Sequence, residues 1–355
     1  MRLKPVLALA LALGAAKTRA DSSTTISTTV YADFTYRQNH DEGKHASADK
    51  SNGTEFDLKR FYLTVDHSFD ETWDVRFRSD VGNETNGKYD VFVKNAYVEA
   101  KLAPELYLRG GAADMPWIPF VESLYGFRFV ENVLVDRTKF GNSADWGLHA
   151  GGKFADGLAS YAVSVVNGRG YSDPTRTQVP TVAARVSVNP LKELTIGIDG
   201  EVGRLGQAVA GVETYHNATR YDAVIAWVGG PLRAGVTGFI AKDYAASIVT
   251  SNTAKEDTAT GGSLWASYAI IEPVIVFGRA DYLKPKKDTN SDLKDVYFNL
   301  GVDYKPVKPV DLALAYKWDQ VKAGTLSTSN GTIGSSVAGA HGTYQEFGIW
   351  TQVAF

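Results

Sequence analysis

The stretch VYFNLGVDY at residues 296–304 decides the fold class. Every second residue of it is apolar or aromatic, whereas the positions between include Asn299 and Asp303. Successive side chains of a β-strand point to opposite faces, so this pattern predicts a strand with one apolar and one polar face. Residues 310–318 repeat the pattern, with Lys317 on the polar face.

The same alternation recurs along the chain, and the connections between these stretches alternate between short and long. Seven short turns are expected near residues 70–71, 103–105, 155–157, 190–193, 229–231, 272–273 and 305–309. Eight longer connections are expected near residues 39–53, 83–90, 113–143, 168–179, 204–219, 243–259, 284–294 and 322–342. Together they separate sixteen strands. Short turns at one end and long connections at the other are typical of a membrane barrel.

The polar face of these strands carries many charges, which would be costly to bury in the core of a soluble sandwich or propeller. In a wide barrel that face meets water. Aromatic residues fall near strand ends on the apolar face, where a membrane interface favours them: Tyr36, Trp73, Tyr221, Trp227, Tyr268, Tyr282, Tyr304 and Trp318. We therefore predict an all-β protein, a transmembrane antiparallel β-barrel of about 16 strands.

The first twenty residues have the pattern of a secretory signal peptide. Arg2 and Lys4 precede an apolar run over residues 6–16, which is too short to span a bilayer. Thr18 and Ala20 are small residues suited to cleavage before residue 21. We expect residues 1–20 to be a signal peptide and residues 21–355 to form the barrel.

Composition excludes several classes of protein. The 355-residue chain has no cysteine, which excludes disulfides and thiolate metal sites. A mean hydropathy of −0.18 argues against a bundle of membrane helices. The chain has 37 basic and 40 acidic residues, and loss of the four basic residues of the signal peptide would leave 33 and 40, a net charge of −7. No basic excess suggests nucleic acid as a partner.

The final strand ends on Phe355 after alternating apolar residues. Such an ending resembles the assembly signal of bacterial outer-membrane barrels. It implies outer-membrane lipid and the outer-membrane assembly machinery as partners, after export through the periplasm.

The third long connection is unusually apolar. Residues 113–142 read ADMPWIPFVESLYGFRFVENVLVDRTKFGN. External loops are usually polar, so we expect this segment to fold into the lumen as a constriction loop, with a short helix within residues 121–135. The alternative is a loop packed at a subunit contact or over the rim.

The charges of this segment are candidates for the pore constriction: Glu122, Arg128, Glu131, Asp136, Arg137 and Lys139. On the facing wall we expect Arg76, Arg78 and Arg109. Opposite charges on facing walls produce a transverse field that orients polar solutes. The alternative is a set of ion pairs that only stiffen the wall.

Several stretches resemble the phosphate-selective porin O/P family. They are LYLRGGAADMPW, FVESLYGFRFVEN and VDRTKFGNSADWGLHAGGKF around the apolar connection, and FDLKRFYLTVD and YDVFVKNAYVEAKL before it. The resemblance implies a 16-stranded, usually trimeric barrel that acts as a passive channel. Phosphate-specific members carry a lysine-rich constriction, whereas Lys139 is the single lysine within residues 113–142. We carry over the fold and the pore, and not phosphate specificity.

The expected function is a passive outer-membrane porin for small hydrophilic solutes or ions, with anions such as phosphate among them. Because of the net charge of −7, we expect weak selectivity that favours cations. The alternatives are a barrel that sheathes a partner protein, such as an electron conduit, and a surface adhesin or receptor. The six histidines lack metal-ligand spacing, and neither GxSxG nor a P-loop occurs. We therefore expect no enzyme, no cofactor and no metal.

Overall fold

The computed structural model describes residues 22–42, 52–83, 89–174, 176, 179–203, 217–244 and 257–355. Within them lie eighteen strands: β1 Ser23–Asp41, β2 Gly53–Ser68, β3 Trp73–Asn83, β4 Tyr89–Ala103, β5 Leu106–Asp114, β6 Ala144–Phe154, β7 Ala159–Val166, β8 Thr181–Leu191, β9 Leu194–Gly203, β10 Ala218–Gly229, β11 Leu232–Lys242, β12 Thr258–Ile271, β13 Val274–Lys284, β14 Lys294–Val307, β15 Val310–Lys322, β16 Thr325–Thr328, β17 Gly331–Gly334 and β18 His341–Ala354. All but β16 and β17 form a closed antiparallel barrel, which confirms the predicted fold of sixteen strands.

The barrel closes between its first and last strands. β1 pairs with β18 from Thr29 opposite Ala354 to Asp41 opposite Gly342. Beyond this ladder, the backbone of Phe355 exchanges two hydrogen bonds with Thr28, at 2.6 and 2.9 Å. Closure leaves no strand of the barrel with an unpaired edge, which a hydrocarbon environment would penalise.

The two faces of the barrel differ as the alternation predicts. In β14, Leu300 points outward and is 65% exposed, whereas its neighbour Asn299 points inward and is 2% exposed. The eight aromatic residues singled out near strand ends also lie on the outer, apolar face. The lumen therefore collects the polar and charged side chains.

The connections follow the predicted alternation of lengths. Seven short turns lie at the end of the barrel that also holds the first described strand residue and the C-terminus; one of them contains a turn of 3-10 helix at Ala155–Gly157. The longer connections, parts of which lie outside the described residues, join strands at the other end. The predicted signal peptide, residues 1–20, also lies outside the described residues.

Residues 115–143, here called the lumen segment, fold inside the barrel. They contain two short helices, α1 Ile118–Tyr125 and α2 Leu134–Arg137, rather than the single helix predicted within residues 121–135. Pro119 favours the start of α1. Gly126 ends α1 in the left-handed conformation, with φ of 83°, so the continuous helix is broken there.

Within the described part of the chain, no helix is both long and apolar enough to cross a membrane.

Strands β16 and β17 pair with each other and stand apart from the barrel sheet. They form a hairpin in the connection between β15 and β18, here called the last-loop hairpin.

Candidate pore constriction

Apolar packing holds the lumen segment against the part of the wall that lies opposite β5 and β6, the strands that the segment connects. The ring of Phe127 stacks on Phe277 of β13 with centroids 4.2 Å apart. Tyr125 meets Trp265 of β12 edge to face at 5.8 Å. Each buried aromatic side chain of this kind contributes about 1.5–3 kcal/mol. The segment is apolar because it packs inside the barrel rather than extending into water.

Arg137 is the deepest polar anchor of the lumen segment. Its guanidinium donates to Asp281, Asp295 and Asp319 of three adjacent strands, at 3.1, 2.5 and 2.7 Å. Burial alone would lower the pKa of Arg137, but the three aspartates outweigh it and raise the pKa well above its usual value. Arg137 is 0% exposed, so it fastens the segment and does not face the open lumen.

Four arginines of the barrel wall also bind backbone carbonyls of the lumen segment. The donor and acceptor pairs are Arg185 to Pro116 at 3.0 Å, Arg233 to Leu124 at 2.8 Å, Arg279 to Asn132 at 2.5 Å and Arg220 to Phe140 at 2.6 Å. These bonds satisfy carbonyls that the irregular backbone leaves without a partner. Arg233 lies at the carboxyl end of α1, where a positive charge is favourable.

Open space remains along the β1–β5 side of the lumen. A first cavity of about 290 Å³, here called the loop-side cavity, lies towards the long connections. Its charged lining comprises six basic and three acidic residues: Arg37, Lys59, Arg60, Arg128, Lys139 and Lys317 with Asp57, Glu131 and Glu346. Ser329 and Asn330 of the last-loop hairpin also line it, so the cavity is bounded by the wall, the lumen segment and the hairpin.

Glu131 links these three parts of the molecule. Its carboxylate accepts hydrogen bonds from Ser329 Oγ at 2.7 Å and Asn330 Nδ2 at 2.8 Å, and Lys317 Nζ lies 3.5 Å away. Burial alone would raise the pKa of Glu131. The positive charges of Lys317 and Arg137, together with the hydrogen bond from Asn330, outweigh burial and lower this pKa to about 2. Glu131 is therefore ionised at neutral pH although only 4% of its surface is exposed.

Arg128 connects two acidic residues of the lumen segment. Its guanidinium lies 2.5 Å from Glu122 and 3.9 Å from Asp136. Burial is the main influence on Glu122 and raises its pKa despite this neighbour. Lys139 is exposed and adopts a left-handed backbone conformation, with φ of 64°.

A second cavity of about 300 Å³, here called the turn-side cavity, lies towards the short turns. Its basic residues are each paired with a carboxylate: Arg76 with Asp66 at 2.6 Å, Arg109 with Glu99 at 2.5 Å, and Lys101 with Asp74. Arg78 lines neither cavity. It donates to Thr64 Oγ1 at 2.8 Å and lies over the ring of Tyr62.

The predicted site residues thus separate into three groups. The loop-side cavity has Arg128, Glu131 and Lys139 in its lining, with Glu122 and Asp136 as partners of Arg128. The turn-side cavity has Arg76 and Arg109, whereas Arg137 belongs to the buried anchor. In both cavities the opposite charges that are described lie mostly beside each other on the same wall or segment.

Sequence reasoning missed the part of the loop-side cavity that β2 supplies. Lys59 is an extra residue where the register between β1 and β2 shifts, opposite Tyr31 and Ala32. Such a bulge allows Lys59 and Arg60 both to line the lumen. The signal was present, because two adjacent charged residues interrupt the alternation of FDLKRFYLTVD.

The last-loop hairpin was also missed. Ser329 and Asn330 lie in a stretch rich in Gly, Ser and Thr, which predicts only an external loop.

Within the residues described, no group of three or more His, Asp or Glu side chains is placed to hold a metal ion.

Comparisons with known proteins place the fold among solved barrels. An anion-selective porin from Comamonas acidovorans is 13% identical, with a TM-score of 0.66 over 94% of this chain and 100% of that one. The outer-membrane channel DcaP of Acinetobacter baumannii is 12% identical, with a TM-score of 0.61 over 96% and 99%. A trimer form of OmpT of Vibrio cholerae is 11% identical, with a TM-score of 0.60 over 95% and 100%.

At these identities the similarity establishes a shared fold. No protein-family model matches the chain, and a comparison with curated proteins found no similar sequence.

Proposed function

We propose that the protein is a passive channel of the bacterial outer membrane for small hydrophilic solutes and ions. The observation that carries this proposal is the lumen segment, which is fastened to the β8–β15 wall and leaves two polar cavities along β1–β5. A barrel with a polar lumen and an outward apolar face suits a water-filled pore in lipid. The similar folds of an anion-selective porin and an outer-membrane channel support the same function.

We propose weak ion selectivity that favours cations. In the turn-side cavity each basic residue has a carboxylate beside it, so neither charge dominates. The net charge of −7 after signal cleavage favours cations, and the excess of basic over acidic residues in the loop-side cavity keeps that preference weak. Phosphate would pass as one small ion among others, because Lys139 is the single lysine of residues 113–142, whereas phosphate-specific members of the resembled family carry a lysine-rich constriction.

We propose that residues 1–20 direct export and are removed. We also propose that the barrel assembles in the outer membrane as a homotrimer, as the resembled family usually does. Amino-terminal sequencing of the purified outer-membrane protein tests the first proposal, with residue 21 expected at the mature end. Native mass measurement in detergent tests the second, and a monomer would contradict it.

The inserted lumen segment makes a sheath for a folded partner less suitable, because the segment occupies the space that the partner would need. Arg137 and the arginines that bind the segment's carbonyls hold it in that place.

Liposome swelling tests the proposed transport. Liposomes containing the purified, folded barrel are diluted into isotonic solutions of neutral sugars of increasing size. We expect rapid swelling with the smallest sugars and progressively slower swelling with larger ones, since a fixed pore sieves solutes by size. Swelling no faster than that of protein-free liposomes would contradict the proposal.

A further inference from the structure

The last-loop hairpin bends over the lumen instead of extending away from the barrel. Leu326 and Ile333 are buried in the same apolar cluster as Val321 of β15 and Tyr344 of β18. Val321 and Tyr344 belong to the inward-facing set of their strands. The hairpin therefore packs on the lumen side of the wall.

Two glycines permit this close approach. Gly334 has φ of 118°, and a Cβ built there would lie 2.1 Å from the carbonyl oxygen of Gly324. A Cβ on Gly342 of β18 would lie 2.5 Å from the carbonyl oxygen of Gly334. Larger residues at these positions would lift the hairpin off the wall.

The tip of the hairpin contacts the lumen segment directly. The Ser329 amide donates to the carbonyl oxygen of Arg137 at 2.8 Å. The Ser329 hydroxyl and the Asn330 amide donate to the two different carboxylate oxygens of Glu131. The tip thus binds the lumen segment at its buried anchor and at an acidic residue of the loop-side cavity.

We infer that Ser329 and Asn330 are specificity-determining residues of the channel: they narrow the loop-side cavity and cover the carboxylate of Glu131. This inference rests on the proposed channel function. Because both oxygens of Glu131 are engaged, solutes in that cavity meet chiefly the basic residues of its lining, among them Lys139 and Arg128. Release of the tip would widen the passage and present a carboxylate to passing ions, which would strengthen the preference for cations.

The first test uses the double variant Ser329→Ala with Asn330→Ala, reconstituted in planar bilayers. Relative to the unaltered protein, we expect a higher single-channel conductance. We also expect the reversal potential to shift towards the value of a cation-selective pore. The same double variant made with Glu131→Gln should keep the higher conductance without the shift in reversal potential. Thr332→Ala, at an exposed position of the same hairpin, is the matched control and should leave both quantities unchanged.

The second test exploits the absence of cysteine from the chain. Asn330→Cys is treated with a charged methanethiosulfonate reagent during current recording, and Thr332→Cys serves as control. Modification at residue 330 should reduce the conductance, because the added group lies in the passage, whereas modification at residue 332 should have little effect. The reagent should not change the current of the cysteine-free parent.

The outcomes separate the two proposals. If the unaltered barrel, shown to be folded by its heat-dependent gel mobility, carries no current, then the channel function fails. If it conducts but the alanine variants match it in conductance and reversal potential, the role of the hairpin is overturned. If modification of Asn330→Cys leaves the current unchanged, the role of the hairpin is overturned as well.

Discussion

At the scale of single residues, the lumen segment is held by charge contacts that sequence alone could not assign. Arg137 and Lys139 are two residues apart and both basic. Arg137 is surrounded by three aspartates, whereas Lys139 is exposed at a cavity. Their different positions follow from the turn after α2, which no local pattern in the sequence reveals.

Replacement of Arg137 should be strongly destabilising. Arg137→Ala removes the cation beside the buried Asp295 and Asp319, while Asp281 keeps Arg279. Breaking a buried ion pair in this way costs about 3–5 kcal/mol. The exposed pair of Arg169 and Asp173 offers a control, since Arg169→Ala should cost no more than about 1 kcal/mol. Urea unfolding followed by tryptophan fluorescence measures both. Equal losses for the two variants would contradict the anchoring role of Arg137.

The pKa of Glu131 predicts a pH dependence of stability. Since the folded protein lowers this pKa from 4.5 to about 2, the ionised carboxylate stabilises the fold above pH 4.5. That contribution is lost as the pH falls from about 4.5 towards 2. We expect the difference in unfolding free energy between the unaltered protein and Glu131→Gln to be constant from pH 7 to 5 and to shrink below that. A difference that grows on acidification would contradict this.

At the scale of elements, the strands were predictable and the inserted parts only partly so. Alternation in stretches such as VYFNLGVDY follows from a wall with lipid on one side and water on the other. The apolar lumen segment was predictable because its composition is wrong for an external loop. Its division into α1 and α2 was not predicted, because Gly126 was counted within one helix. The inward bend of the last-loop hairpin depends on contacts distant in sequence.

The apolar face of the lumen segment should contribute to stability as a core does. Phe127→Ala removes the ring that stacks on Phe277, and such truncations cost about 3–5 kcal/mol. Leu148→Ala, on the outward face of β6, is a suitable control and should cost much less in detergent. Urea unfolding provides the comparison, and the conductance of Phe127→Ala should also fluctuate more. Unchanged stability would mean that the segment is not packed as described.

At the scale of the whole molecule, the closed barrel divides the chain's side chains between two environments. The mean hydropathy of −0.18 averages an apolar outer face and a charged lumen. Many of the lumen's carboxylates are held by arginines beneath the lumen segment, and the accessible charges are largely paired. The proposed channel should therefore discriminate mainly by size and only weakly by charge.

The proposed channel is tested most directly by the current through single molecules in a planar bilayer under a salt gradient, recorded with and without added phosphate. We predict discrete conductance steps that rise with salt concentration and no block by micromolar phosphate. The reversal potential should be small, with the sign expected for a weak preference for cations. The absence of steps, or strong anion selectivity with block by micromolar phosphate, would contradict it.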